Sequence, residues 1–145
     1  MKYMTGLALA VFFALPAQAH DTTLDILSVP SEADFAAAQS IADERIRQIE
    51  AGKHEDAISD TVAASELLAA KTSEKNLLIG QARTSVELYG PVERCVLATR
   101  EHFSALRITL NYVCQHEQLL LLWTLRVDNL PQGWTITNLK FTDSY

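Results

Sequence analysis

The feature that most constrains the fold is a single change of hydrophobic periodicity at Gly90-Pro91. Residues 31–90 are rich in Ala, Glu, Gln and Leu, with apolar positions at helical spacing. Residues 92–143 are rich in Val, Ile, Thr, Leu and aromatic residues that alternate with polar ones. Helices that precede strands, rather than interleave with them, indicate the α+β class with an antiparallel sheet. The sequence therefore predicts N-terminal helices packed on a four-stranded antiparallel sheet.

Three helical segments are predicted before Gly90. The first begins at Ser31, which forms a capping box with Asp34, and ends at Gly52. The second covers residues 55–70, and the third covers residues 73–89 with Thr72 or Ser73 as its cap. The apolar stripes are Phe35, Ala38, Ala42, Ile46 and Ile49 on the first helix, and Leu78, Ala82, Val86 and Tyr89 on the third.

Four strands are predicted after Pro91. Residues 92–99 form the first strand, and a turn over residues 100–105 leads to the second. The second and third strands form a hairpin around residues 115–118, and a turn-rich loop at 128–133 precedes the last strand. The alternating positions are Leu106, Ile108, Leu110, Tyr112 and Cys114 on the second strand, and Leu119, Leu121, Trp123, Leu125 and Val127 on the third.

The last strand changes phase part-way along. Trp134 and Ile136 share one phase, whereas Leu139 and Phe141 share the other. One extra residue near Thr137-Asn138 would restore a single apolar face, so we predict a β-bulge there. Because bulges bend strands, the sheet is expected to curve around the helices.

The N-terminus has the pattern of a secretory signal peptide. Lys2 supplies a positive charge, residues 4–15 are mainly apolar, and small residues precede a cleavage point between Ala19 and His20. The apolar run is shorter than the roughly 20 residues that a membrane span needs, so no stable membrane anchor is expected. We therefore predict removal of residues 1–19 and a single domain over 20–145 that lies in the periplasm or is secreted.

Cys95 and Cys114 are the two cysteines of the chain. Export would place them where disulfides form, and pairing of the first two strands brings them roughly opposite each other. We therefore predict a cross-strand disulfide. A redox or metal pair is disfavoured because there is no Cys-x-x-Cys motif and no histidine at ligand spacing, and no metal or cofactor is predicted.

The polar side chains do not form a recognisable catalytic constellation. His54, His102 and His116 fall at helix ends or turns and are predicted to be solvated, and the nearby carboxylates are read as solvated helix faces. His20 would become the N-terminal residue, where its amine and imidazole could chelate Cu(II), but no second ligand is indicated. No HExxH, GxSxG, Walker A or GxGxxG motif is present, so no catalytic residue is predicted. The carboxylates that we interpret as solvated side chains on helix faces are Asp43, Glu44, Glu50, Glu55 and Asp56.

Charge and aromatic content bear on the partners. A formal net charge of −6 argues against nucleic acid as the main partner. Four aromatic residues could line a pocket for a small apolar ligand between helix and sheet, with Asn111 or Arg107 at its rim. The alternative is that these residues are ordinary core. The four are Phe35, Tyr89, Tyr112 and Trp123.

Two segments resemble the small exported proteins of the NTF2-like (cystatin-like) superfamily. One is Tyr89-Gly90-Pro91-Val92-Glu93, and the other is Gly133-Trp134-Thr135-Ile136 with Leu139-Lys140-Phe141 after three strands. The resemblance covers residues 33–143. It implies helices before a strongly bent antiparallel sheet, forming a cone with a cavity. It also implies pairing through the open face of the sheet, where Thr109, Val113, Thr135 and Thr137 are compatible with a homodimer.

The same superfamily includes isomerases and dehydratases, which place an Asp base and Tyr or Asp donors in the cavity. Tyr112 could supply one donor, but no inward-facing carboxylate matches the base. We therefore expect an exported, non-catalytic domain that binds a small apolar ligand or a protein partner. The alternatives are an isomerase, dehydratase or hydrolase that uses a cavity Tyr with a carboxylate or His, and an inhibitor acting through residues 115–118.

Overall fold

Four helices precede four strands in the computed structural model, which describes residues 28–144. The predicted α+β class with a four-stranded antiparallel sheet is confirmed. The predicted signal peptide and the predicted cleavage point between Ala19 and His20 lie outside the described residues, as does the N-terminal copper chelation considered for His20. The elements are α1 Glu32–Glu50, α2 His54–Ala63, α3 Glu66–Ala69, α4 Thr72–Tyr89, β1 Val92–Ser104, β2 Arg107–His116, β3 Leu120–Leu130 and β4 Gly133–Thr142.

Helix α1 begins with the predicted capping box. The Ser31 hydroxyl accepts a hydrogen bond from the Asp34 amide at 3.2 Å, and the Asp34 carboxylate accepts one from the Ser31 amide at 2.9 Å. These two bonds satisfy amides that a helix leaves unpaired at its start. The apolar stripe from Phe35 to Ile49 is buried as predicted. Helix α1 thus lies across the sheet and contacts all four strands.

The segment 55–70 is two helices rather than one. Ser65 adopts an extended conformation between them, and its hydroxyl accepts a hydrogen bond from the Leu68 amide, so it caps a new short helix. Helix α4 then starts at Thr72, one residue earlier than predicted. The prediction that Thr72 or Ser73 caps it is wrong, because Lys71 occupies the cap position and no side chain caps it.

The sheet has the order β1-β2-β3-β4, with every pair antiparallel. Strand β1 is longer than predicted, because residues 100–104 continue the ladder through pairs such as Arg100↔Leu110. Strand β3 likewise continues to Leu130, and the predicted loop at 128–133 contracts to a tight turn. In both places the sequence resembles a loop, but the backbone continues the antiparallel ladder, and in β1 it does so with side chains that are exposed from Ala98 to Phe103.

The predicted bulge in β4 is confirmed. Arg126 pairs with Asn138 and Val127 pairs with Ile136, so Thr137 is the extra residue. Its hydroxyl donates a hydrogen bond to the Asp128 carboxylate at 2.7 Å. Strand β1 also departs from regular pairing with β2 at three places along its length.

The core lies between the helices and one face of the sheet. Residues Ile108, Leu110, Tyr112 and Cys114 of β2 face the helices. The opposite face is half-exposed, and there Asn111 bonds Thr124, Thr99 and Glu101. We call this half-exposed surface the open face.

The predicted disulfide is present. Cys95 and Cys114 are register partners on β1 and β2, and their sulfur atoms are bonded. The bridge therefore fixes the register of this strand pair within the core. Close by, the Glu50 carboxylate at the end of α1 accepts a hydrogen bond from the Cys95 amide at 2.5 Å. Glu50 is therefore not the solvated helix residue that the sequence predicted.

Two of the three histidines predicted to be solvated are buried. His54 is 7% exposed and His116 is 2% exposed, whereas His102 is exposed as expected. His54 starts α2 and packs near the Trp123 ring, at 6.2 Å between centroids. A ring nitrogen of His116, Nδ1, lies 2.7 Å from the Gly90 carbonyl, to which it donates. The prediction failed because the burial of both rings depends on tertiary contacts.

Candidate ligand-binding groove

The four aromatic residues predicted to line one pocket lie in three places. Tyr112 and Trp123 are register partners in the buried core. Phe35 lies near the start of α1. Its ring centroid is 6.2 Å from that of His102 and 4.9 Å from the Cζ atom of Arg100. Tyr89 lies at the opposite end of the domain, at the end of α4. The structure therefore brings only Tyr112 and Trp123 together.

The hydroxyl of Tyr112 donates a hydrogen bond of 2.6 Å to the Asp43 carboxylate. Asp43 is thus not a solvated helix residue, since it links α1 to β2. Burial first, and then this hydrogen bond, raise the pKa of Tyr112 well above its usual range. The phenol therefore stays protonated and its ring stays in the core.

Trp123 is enclosed by other rings. Phe141 of β4 packs against it, with 4.6 Å between ring centroids, and His54 approaches from α2. The indole nitrogen Nε1 is buried without a hydrogen-bond partner, as are the Nε2 atoms of His54 and His116. These side chains belong to the core at this end of the sheet.

A concave surface lies beside α4. This helix packs mainly on α2, and along its other side run two clefts that it shares with β4. One cleft, of about 280 Å³, lies among α2, α3, α4 and β4. The other, of about 590 Å³, lies between α4 and the ends of β3 and β4. Leu77 and Gln81 line both clefts, so the two adjoin along α4, and we call the pair the α4–β4 groove.

The groove is lined by apolar and polar side chains and has two exposed leucines at its rim. Leu77 is 63% exposed and Leu88 is 59% exposed, although both are large apolar side chains. Below them α4 and the sheet contribute apolar side chains, which alternate with polar ones such as Gln81, Ser85 and Asn138. The apolar side chains are Leu78, Leu121, Leu139 and Phe141.

The two ends of the groove carry opposite charges. Lys71 and Lys75 lie at the end near α3, with Glu74 between them. At the other end the Tyr89 hydroxyl donates to the Asp143 carboxylate at 3.0 Å, and this bond raises the pKa of Tyr89. The ion pairs formed within residues 28–144 include neither lysine.

Sequence reasoning identified one part of this groove and missed the rest. Tyr89 was predicted as a ligand residue and lines the groove. Leu77 and Leu88 were missed because Leu78 and Ala82 already defined one apolar face of α4, and no second apolar face was sought. Leu88 follows Leu77 by eleven residues, which is about three helical turns, so the two leucines share a face of α4. This spacing was the signal that the sequence offered.

No protein-family model, curated protein or solved structure matches the chain. Within residues 28–144, no cluster of three or more histidine, cysteine or acidic side chains is placed to hold a metal ion. Over the same residues, no helix is both long enough and apolar enough to cross a membrane.

Proposed function

We propose that this protein is a non-catalytic binding module for a small, mainly apolar ligand, which occupies the α4–β4 groove. The observation that carries the proposal is the exposure of Leu77 and Leu88 at the rim of a concave apolar surface. Contiguous exposed apolar surface on a small domain marks an interaction site more often than isolated exposed leucines do. The cleft volumes of about 280 and 590 Å³ suit a small molecule rather than a protein domain.

We propose further that this module is exported and NTF2-like. The N-terminal sequence pattern supports cleavage between Ala19 and His20, and the Cys95–Cys114 bridge is typical of an oxidising compartment such as the periplasm. The order of helices before an antiparallel sheet, with a bulge at Thr137, supports a bent NTF2-like sheet. Amino-terminal sequencing of the protein recovered from periplasm would test the export proposal, with His20 as the expected first residue.

The open face is the surface that we propose for a homodimer. Val96, Val113 and Leu122 are register neighbours across β1, β2 and β3, and they form an apolar row. Thr109 lies on the same face, paired with Glu101 and Arg126, whereas Thr135 is buried and Thr137 is bonded to Asp128. Sedimentation equilibrium of the native protein and of Val113→Lys tests this proposal, and a native monomer would contradict it.

A neutral apolar probe tests the groove directly. N-phenyl-1-naphthylamine is expected to gain fluorescence with the native protein, and Leu77→Glu is expected to weaken its binding by at least about tenfold, because a charge then faces the apolar interior. Leu67→Glu is the matched control, since Leu67 of α3 is 66% exposed and does not line the groove. Equal binding by both variants, or no binding by the native protein, would refute the groove as the site.

The enzyme alternative rests on the Tyr112–Asp43 pair, which has the residue types and the hydrogen-bond distance that the alternative requires. Two features argue against it. The Tyr112 ring is buried beneath α1 and beside Trp123, and its pKa is raised. Its partner Asp43 lines an open cleft of about 340 Å³ beside α1, but the phenol itself is held protonated in the packed core, so the pair is better explained as a structural link.

A further inference from the structure

Building on the proposed function, we propose that the ligand is an anionic amphiphile. Its carboxylate binds Lys71 and Lys75, and its alkyl chain lies along the α4–β4 groove toward Phe141. The groove supplies both parts of this recognition, because apolar side chains run along it and its two ends differ in charge.

The charge at the α3 end favours an anion. Lys71 and Lys75 both line the groove there, and neither forms an ion pair within residues 28–144. Glu74 is the one acidic side chain that lines this end, so the local charge is positive by one unit. An anionic head group would therefore compensate a charge that the described residues leave uncompensated.

The negative charge at the Tyr89 end of the groove favours the same orientation of the ligand. Asp143 lines the groove next to Tyr89, and no basic side chain lines that cleft. A carboxylate near Asp143 would be repelled, whereas an uncharged chain end meets Phe141, Leu121 and Leu88. The potential along the groove thus places the head of the ligand near the lysines and its tail near the aromatic residues.

The length of the groove suits a medium-length chain. From Lys75 to Tyr89 the axis of α4 rises about 21 Å, which accommodates an extended alkyl chain of about twelve carbons and its head group. Leu77 and Leu88, the exposed apolar residues of α4, both lie within this span. The chain would cover both of them and remove their apolar surface from water.

Three probes of equal chain length separate the contribution of charge from that of the alkyl chain. Dodecanoate, dodecanol and dodecylamine are titrated below their micelle concentrations, and each is followed by displacement of N-phenyl-1-naphthylamine. We expect dodecanoate to bind about tenfold more tightly than dodecylamine. The double variant K71Q/K75Q should weaken dodecanoate about tenfold, as expected for two partly exposed ionic contacts, and leave dodecanol unchanged.

Two further variants complete the design. Lys140→Gln removes a lysine from the open face and should leave all three affinities unchanged. Glu74→Gln should tighten dodecanoate about threefold, because it removes the one repelling carboxylate at the lysine end. Raising the salt concentration should weaken dodecanoate selectively, since exposed ionic contacts are screened.

The outcomes distinguish this inference from the proposed function. If dodecanoate and dodecylamine bind equally and K71Q/K75Q has no effect, the anionic class is overturned while the groove stands. If dodecylamine binds most tightly, the orientation and the charge are both wrong. If no probe binds, including the neutral naphthylamine, the proposed function and this inference fail together.

Discussion

At the scale of single residues, the most consequential finding is that two imidazoles lie in the core. His54 starts α2 beside Trp123, and His116 ends β2 beside Gly90. Each has its Nε2 atom buried without a hydrogen-bond partner. Burial favours the neutral form of His54, because protonation would place a charge in an apolar environment. The stability of the domain should therefore depend on pH through this ring.

His54 gives the first prediction. Burial lowers its pKa from the usual 6.5, although a hydrogen bond with Gly52 opposes this, and the charge of His116 lowers it further. The unfolded chain thus binds more protons than the folded domain as pH falls below about 6.5, so stability falls on acidification and recovers on neutralisation.

The test is urea denaturation of the native protein and of His54→Gln between pH 7.5 and 5. The midpoint of the native protein should fall more steeply with acidification than that of the variant. His102→Gln, at an exposed position, should retain the native slope. Parallel slopes for the native protein and His54→Gln would contradict the prediction.

The hydrogen bond from Tyr112 to Asp43 gives the second prediction. Tyr112→Phe removes the hydroxyl and leaves the Asp43 carboxylate without this partner, so the free energy of unfolding should fall by about 1.5–3 kcal/mol. Chemical denaturation measures the loss. Adding Asp43→Asn to Tyr112→Phe should cost less than the sum of the single changes, and full additivity would show that the two groups do not interact.

At the scale of elements, prediction from sequence succeeded where the signal is local. The capping box of Ser31 and Asp34 involves residues three apart, and the bulge at Thr137 is visible as a phase change within one strand. The break at Ser65 was missed although its cause is local, since the Ser65 hydroxyl accepts a hydrogen bond from the Leu68 amide. The spacing of Leu77 and Leu88 is likewise visible in the sequence, whereas the clefts beside them depend on how α4 packs against the other elements. Tyr89 was the one groove residue that sequence reasoning identified.

The bulge gives a prediction at this scale. The Thr137 hydroxyl bonds the Asp128 carboxylate, which also forms two bonds with Arg107 at 2.7 and 2.9 Å. Burial alone would raise the pKa of Asp128, but the bonds from Arg107 and Thr137 lower it overall. Thr137→Val should therefore reduce the free energy of unfolding by about 1–2 kcal/mol at pH 7.

The matched control is Thr109→Val, a change of the same type on β2 at a half-exposed position of the open face. Both variants are measured by urea denaturation, and Thr109→Val should leave the free energy of unfolding nearly unchanged. The loss of unfolding free energy caused by Thr137→Val should become smaller as the pH falls below 3.8, because protonation of Asp128 weakens the hydrogen bonds that its carboxylate accepts. An equal loss in both variants would mean that the bulge does not depend on this hydrogen bond.

At the scale of the whole molecule, the disulfide joins the only two cysteines of the chain between neighbouring strands. The bridge closes a loop with a sequence separation of 19 residues. In the chain-entropy model such a loop stabilises the folded state by about 3 kcal/mol. The double variant Cys95→Ser and Cys114→Ser should lose a comparable amount in urea denaturation. Recovery of full stability in the serine variant would contradict this expectation, and intact mass spectrometry confirms the bridge as a loss of two hydrogens.

The irregular pairing of β1, which is an edge strand, bears on whether another copy of this chain can add a strand to the sheet. A sheet edge with regular free amides and carbonyls is a template on which another strand can add. Strand β1 departs from regular pairing at three places, and the Cys95 amide is already bonded to the Glu50 carboxylate. A strand approaching this edge would meet an interrupted row of partners and a competing carboxylate. We therefore expect the β1 edge of the sheet to resist the addition of another strand.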